Sequence, residues 1–311
     1  MSRKKIALIG GGQIGQILAL LAAQKELGDV VILDIPQLEN PVKGKALDLL
    51  ELAPTIPFAG NVTGTSDYKD IAGADVVIVT AGLPRKPGMT REDLLATNID
   101  IITKVAEGVK ANAPDAFSII ITNPLDAMVY VFQKVTGFPR NQVAGMAGVL
   151  DTARWRAFIG MELGVSVQDI TGTVLGGHGP TMVPLPRLTT VGGVPLTELL
   201  DDETIEKIAD RTRHAGTEVV KLLGNGSAFF SPAGSAINMA ESYLRDQRRV
   251  LPAAALCQGE YGIDGLFIGV PVRIGSGGVE KIYEIKLNDK EKAQLADTVE
   301  AVKKTVGECK V

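Results

Sequence analysis

The sequence predicts an α/β protein: a doubly wound parallel sheet in the first half, followed by a mixed α+β substrate domain. Three observations carry that expectation. Short Val/Ile-rich runs alternate with helix-length segments, a glycine-rich turn joins the first run to the first helical segment, and the texture changes after Gly148. A chain of 311 residues is long enough for two domains with a core each, and the border is expected at 147/148, giving residues 1–147 and 148–311.

The elements follow in order. Lys5–Ile9, Val30–Asp34, Val62–Thr65, Asp75–Thr80, Phe117–Ile121 and Val143–Met146 read as strands. Several are unbroken apolar runs, the pattern of strands buried on both faces. Between them, Gln13–Leu27, Gly44–Leu52, Arg91–Ala113 and Leu125–Thr136 have the length of crossover helices. Further on, Asp151–Gly164 and Thr204–Leu223 read as helices. Ile170–Leu175, Val250–Leu256, Phe267–Ile274 and Val279–Ile285 read as strands broken by glycine-rich turns. Asp289–Val306 closes the chain as an amphipathic helix with a solvated charged face. With no repeat and no flexible linker, the halves are expected to pack directly around a cleft.

Composition narrows the function classes. Apolar residues make up 45% and charged residues 22%, the balance of a folded globular protein. A net charge of -4 argues against nucleic acid as a partner. Cys257 and Cys309 stand far apart and read as free thiols in a reducing compartment. Arg3, Lys4 and Lys5 before the apolar stretch Ile6–Ala23 imitate an export signal. Gly10, Gly11, Gly12 and Gly15, with Gln13 and Gln16, break that stretch as a signal core or membrane helix. The expected location is cytoplasmic.

Gly10-Gly11-Gly12-Gln13-Ile14-Gly15 satisfies G-x-G-x-x-G directly after a strand and at the start of a helix. The first glycine makes the tight turn, the second lets a pyrophosphate approach the backbone, and the third lets helix and strand pack closely. Free N–H groups at the helix start then face the phosphates. Asp34 ends the next strand 19 residues after Gly15, where a ribose-binding acid belongs, so the whole reads as a Rossmann-type site. A carboxylate there repels the extra phosphate of NADP by ~1 kcal/mol in water and ~4 at an effective dielectric of 20. Ile35, Pro36 and Gln37 offer no compensating arginine, so NAD is the expected cofactor.

The chain has two histidines. His214 lies in the charged stretch Arg211-Thr212-Arg213-His214 and reads as a surface residue. His178, in Gly176-Gly177-His178-Gly179, stands at a strand end with small neighbours. A histidine so placed serves structure as readily as catalysis. Gly82–Thr90, interrupted by Pro84, Pro87 and Gly88, reads as a lid.

Taken together, Gly10–Gly15 with Asp34, Pro84–Arg91, Thr122-Asn123-Pro124, Gly148–Arg154 and Gly176–Gly179 resemble the lactate/malate dehydrogenase family over essentially the full length. In detail the chain is similar to the branch that oxidises malate on the lactate-type pattern. The resemblance implies reversible hydride transfer between NAD(H) and a 2-hydroxy acid, a place in the tricarboxylic acid cycle, no catalytic metal, and a homodimer or homotetramer. It implies that His178, paired with Asp151, exchanges the proton, that Arg154 binds the substrate's 1-carboxylate, and that Arg91 polarises its ketone oxygen. Asn123 would bond the same oxygen, with Asn98, Ile121, Thr122 and Asn123 beside the cofactor.

Physical chemistry fits these roles. A carboxylate partner favours the imidazolium and fixes its tautomer, and a guanidinium matches a carboxylate with two parallel hydrogen bonds. From the residues alone, Asp151 reads equally well as the N-cap of its helix. The family carries arginine at the lid position of Arg85 when the substrate has a second carboxylate, and commonly glutamine when it ends in methyl. A small dicarboxylate, malate or oxaloacetate, is therefore expected, with lactate as the alternative; a non-catalytic NAD-binding protein is the alternative from another class. One departure stands out. The family motif continues two residues past the histidine with aspartate, and here that position is Pro180.

Overall fold

The computed structural model describes residues 3–83 and 91–309, except for the side chain of Arg91. The first half holds β1 (Lys5–Ile9), α1 (Gln13–Gln24), β2 (Asp29–Leu33), α2 (Glu39–Leu52), β3 (Val62–Thr65), β4 (Val76–Val79), α3 (Arg91–Asn112), β5 (Phe117–Ile120), α4 (Leu125–Thr136) and β6 (Val143–Gly145). The second half opens with α5 (Gly148–Leu163), then β7 (Ile170–Thr171), β8 (Val174–Leu175), β9 (Val183–Pro184), β10 (Thr190–Val191), β11 (Val194–Pro195) and α6 (Asp202–Leu223). It ends with α7 (Phe230–Leu244), β12 (Arg249–Gln258), β13 (Asp264–Gly275), β14 (Gly278–Ile282) and α8 (Asp289–Gly307).

Strands β1 to β6 pair in parallel in the order β3-β2-β1-β4-β5-β6, the doubly wound arrangement expected from the sequence. Alternation along β1 explains why both faces are covered. Ile6 and Leu8 belong to one buried cluster with α1, α2 and α7, whereas Ala7 and Ile9 belong to another with α3 and α4. Each fully buried isoleucine or valine in these strands contributes about 1.5–3 kcal/mol.

The sheet does not stop at the 147/148 border. Antiparallel β12 pairs with β6 through Ala254 and Gly145, and β13 and β14 extend the sheet to nine strands. A side chain at Gly145 would meet the Ala254 methyl at 2.9 Å, so the small pair lets the two halves join edge to edge. Helix α7 then packs on α1 and on β4, β5 and β13, placing second-half residues Ala233, Ala236, Ile237 and Ala240 in the first-half core. A separate smaller core around Trp155 joins α5 to α6 through Ile205, Ile208 and Ala209.

Several expectations need correction. Helix α7 is absent from the sequence reading; its Pro232 and Gly234 look like breakers, but Pro232 falls in the first turn, where proline is tolerated. Ile170–Leu175 is not one strand. The chain changes sheets at Gly172, where a side chain would lie 2.8 Å from the Thr189 hydroxyl, so β7 and β8 pair with different partners. Helix α2 begins at Glu39 rather than Gly44, since Pro41 falls in its first turn, where proline is tolerated. Among the described residues no helix is long and apolar enough to cross a membrane.

Candidate active site

The glycine turn, Asp34, Thr80, Ile121 and Asn123 all follow the carboxyl ends of parallel strands, and the switch in strand order falls between β1 and β4. Open α/β sheets bind their ligands at such a crevice. The three motif glycines differ in conformation and surroundings. Gly10 adopts φ +110°, and its N–H donates to Leu33 O at 2.8 Å. A side chain at Gly15 would lie 2.0 Å from the Gly10 carbonyl, so this position fixes how closely α1 approaches β1. At Gly12 an added Cβ meets nothing within 4 Å among the described residues. That open, exposed position at the start of α1 is the space a pyrophosphate needs.

Asp34 is tied into the same turn. Its Oδ2 accepts from Gly11 N–H at 2.7 Å and its Oδ1 from Ile35 N–H at 2.8 Å. The carboxylate is thus half-buried at the edge of the crevice. Lys45, unnoticed in the sequence, reaches from α2 to donate to Gly11 O. Gln13 is exposed and Ile14 half-buried at the helix start, and the α6–α7 loop approaches through Gly226, where a side chain would meet Gln13 Oε1 at 3.5 Å.

Asn98 lies against Asn123, within the segment group the sequence reading named. It is 1% exposed, donates to Asn123 O at 2.7 Å and to Leu83 O at 3.2 Å, and accepts from Leu83 N–H at 2.8 Å. It therefore braces the segments ending at Leu83 and Asn123. Ile121 and Thr122 are buried, and the Thr122 hydroxyl donates to Ala81 O at 2.7 Å. Asn123 is exposed at the end of β5, before a cis bond to Pro124.

His178 and Asp151 come together. The ring Nδ1 lies 2.9 Å from Asp151 Oδ2, with side chains 16% and 3% exposed. Helix α5 starts at Gly148, so Asp151 sits inside its first turn and does not cap it. That corrects the N-cap reading and leaves the carboxylate free for the imidazole. Arg154, one turn along α5, places Nη1 3.6 Å from Asp151 Oδ1. Burial lowers the Arg154 pKa against the pull of Asp151. At His178, burial works against the charged form, but Asp151 and a second carboxylate, Asp126, outweigh it, and the imidazole pKa is raised.

Asp126 is the group the sequence reading missed. It lies three residues after Asn123 in the first turn of α4, and its Oδ2 accepts from His178 N–H at 2.9 Å. The available signal was a single acid among the apolar residues Leu125, Ala127, Met128 and Val129. His214 is exposed on α6 beside Asp210, as expected. Pro180 is exposed in a turn closed by Met182 N–H to Gly179 O at 3.0 Å. Arg85, the lid segment 84–90 that contains it, and the Arg91 side chain lie outside the described residues. Among those described, no three His, Cys, Asp or Glu side chains group as a metal set.

A dinucleotide crevice with an imidazole–carboxylate pair reached through Asn123 and α4 defines an oxidoreductase of the NAD-dependent class. The chain belongs to the lactate/malate dehydrogenase family: residues 4–145 match its NAD binding domain and residues 148–310 its alpha/beta C-terminal domain. It is 62% identical to malate dehydrogenase 1 of Anaeromyxobacter dehalogenans over 99% of both chains. A malate dehydrogenase structure from Cryptosporidium parvum superposes with a TM-score of 0.95 at 45% identity, covering 98% of each chain. A lactate dehydrogenase from the same organism, complexed with lactic acid and the nicotinamide cofactor, gives 0.95 at 45% identity and covers 99% of this chain and 98% of its own.

Proposed function

We propose that this chain is an NAD-dependent malate dehydrogenase, interconverting malate and oxaloacetate as a step of the tricarboxylic acid cycle. The observation that carries the chemistry is the 2.9 Å contact between His178 Nδ1 and Asp151 Oδ2, with Arg154 beside it. Overall fold does not discriminate the substrate, since malate and lactate enzymes superpose equally well. Full-length identity of 62% to a malate dehydrogenase supports the four-carbon diacid.

The glycine turn and Asp34 fit NAD: the turn leaves space at Gly12, and the carboxylate suits ribose hydroxyls. Bound there, the cofactor supplies or accepts the hydride. The chain's own residues do the rest. Arg154 pairs with the 1-carboxylate and fixes the reacting carbon. His178 donates a proton from Nε2 to the developing alkoxide in reduction and takes it back in oxidation. Asp151 holds the other ring nitrogen, sets the tautomer and stabilises the imidazolium. Arg91 stabilises negative charge on the same oxygen, with Asn123 bonding it.

Arg85 is assigned to the second carboxylate. Over a methyl group that guanidinium would be desolvated without a partner. Following NADH absorbance with oxaloacetate and then pyruvate tests the reading, and a preference for pyruvate overturns it. Arg85→Gln should lower kcat/KM for oxaloacetate at least about thirtyfold, the equivalent of ~2 kcal/mol. The division of labour at 147/148, cofactor before and substrate after, is part of the same reading, as is a cytoplasmic location. A homodimer or homotetramer belongs to the same reading. Light scattering reads the assembly directly.

A further inference from the structure

His178 is gripped from two sides by carboxylates of different helices. Asp151 of α5 meets the ring, and Asp126 of α4 meets the backbone N–H of the same residue at 2.9 Å. Asp126 is buried, its Oδ1 has no hydrogen-bond partner among the described residues, and Leu125, Ala127, Met128 and Val129 around it in sequence are buried too. Burial pushes its carboxyl up to about 6, while the nearby His178 pulls it down.

Pinning the backbone of Gly177 and His178 needs no charge at this point. One residue earlier, the neutral Thr298 hydroxyl of α8 accepts from Gly177 N–H at 3.0 Å, and Thr298 also meets the Thr181 hydroxyl at 3.0 Å. Gly177 lets both helices close in: a side chain there would lie 2.6 Å from Val302 Cγ2 and 3.1 Å from Asp126 Oδ2. A carboxylate with one bare oxygen in apolar surroundings is costly, and a hydroxyl or amide would satisfy the same N–H. The distinctive property of Asp126 is its charge. Among the described residues, the charged groups facing His178 are Asp151 and Arg154 from α5 and Asp126 from α4, while α8 presents neutral Thr298 and Val302 to Gly177 beside it.

We propose that Asp126 is a positioning residue for the reaction, fixing the backbone beneath His178 and holding its imidazolium with a second negative charge. The inference rests on His178 being the proton donor and acceptor. One carboxylate then orients the ring while the other adds field from behind, and the proton is retained despite burial and the repulsion of Arg154.

The chain's two histidines make the test clean, because exposed His214 is an internal reference. Asp126→Asn keeps an oxygen for His178 N–H and removes the charge. In NMR titration of histidine-labelled enzyme without substrate, the His178 midpoint should fall by about one pH unit, with His214 unmoved. In turnover, kcat for oxaloacetate reduction should drop roughly tenfold at alkaline pH and little at acid pH, with KM nearly unchanged. Asp126→Ala, which also loses the acceptor, should lose rate at both. The unsubstituted enzyme gives a reading that needs no variant to fold: its His178 midpoint should lie above the ordinary histidine value despite burial. A His178 midpoint at or below that value, or an Asp126→Asn midpoint equal to the original, overturns the proposal. If His178 were not the acid–base group, the NMR shift would persist while the rate profile ignored it, so the two failures are distinguishable.

Discussion

At the scale of single residues, the pair His178–Asp151 makes the most direct demand on experiment. Its imidazole pKa is raised by its carboxylate neighbours against the effect of burial. The protonated form needed for reduction therefore survives above the ordinary histidine range, and reduction should decline only as pH rises through that raised value. Malate oxidation needs the neutral ring and should decline as pH falls through it. The sign for folding is the same as for reduction: stabilisation from the charged pair is full below about 6.5, the unfolded value, and lost as pH rises through the folded one. Asp151→Asn should cost about 10²–10⁴ in kcat and shift the reduction profile toward acid, read by stopped-flow or steady-state rates across pH. An unshifted profile would remove Asp151 from the mechanism. Pro180 invites the opposite experiment. It occupies the second position of the Gly179–Met182 turn, which suits proline. Restoring the family's residue with Pro180→Asp should cost about 0.4–1 kcal/mol of stability through a looser unfolded chain. It should also raise KM for oxaloacetate by adding negative charge near a dianion, measured with calorimetry and kinetics together.

At the scale of elements, the glycine turn separates binding from folding. Gly12→Ala adds a methyl where no described residue lies within 4 Å, so thermal stability should hold while the NADH dissociation constant rises about tenfold or more, ~1.4 kcal/mol, by fluorescence titration. Gly15→Ala drives a Cβ to 2.0 Å from the Gly10 carbonyl, so it should destabilise the fold by about 1–3 kcal/mol as well as weaken binding. Equal melting temperatures for the two variants would refute this division. The same contrast shows what was legible in the sequence. Strand β1 and helix α1 were readable because a buried parallel strand is uniformly apolar and G-x-G-x-x-G has a mechanical cause. Asp34 was readable because its spacing is fixed by one crossover. Asp126 and Asn98 were not read as braces, because their partners, His178 N–H and Leu83, lie 52 and 15 residues away along the chain. No local period reports such contacts. Helix α7 escaped for another reason: Pro232 and Gly234 read as helix breakers, and only the structure places the proline in the first turn, where its missing N–H costs nothing.

At the scale of the whole molecule, the cofactor half is not self-sufficient, and this carries the last prediction. Strand β6 has β12 on its outer edge, and α7 supplies Ala233, Ala236, Ile237 and Ala240 to the face that also carries Ile6, Leu8, Val76 and Phe117. Cutting after residue 147 would strip one edge strand partner and the cover of that face, exposing unpaired backbone and an apolar patch together. The proposed active site is split across the same seam: the glycine turn follows the parallel strands, while Asp151, Arg154 and His178 come from the chain beyond it. A fold that unravelled half by half would populate states with a formed nucleotide site and no proton donor. The shared core makes the two rise and fall together. Calorimetry of the intact protein should give one transition with calorimetric and van't Hoff enthalpies in agreement once assembly is held constant, and a fragment of residues 1–147 should be protease-sensitive or aggregated. A soluble, protease-resistant fragment that binds NADH as tightly as the full chain would show that β12–β14 and α7 are additions to a finished domain, and that the sheet joins two independent units.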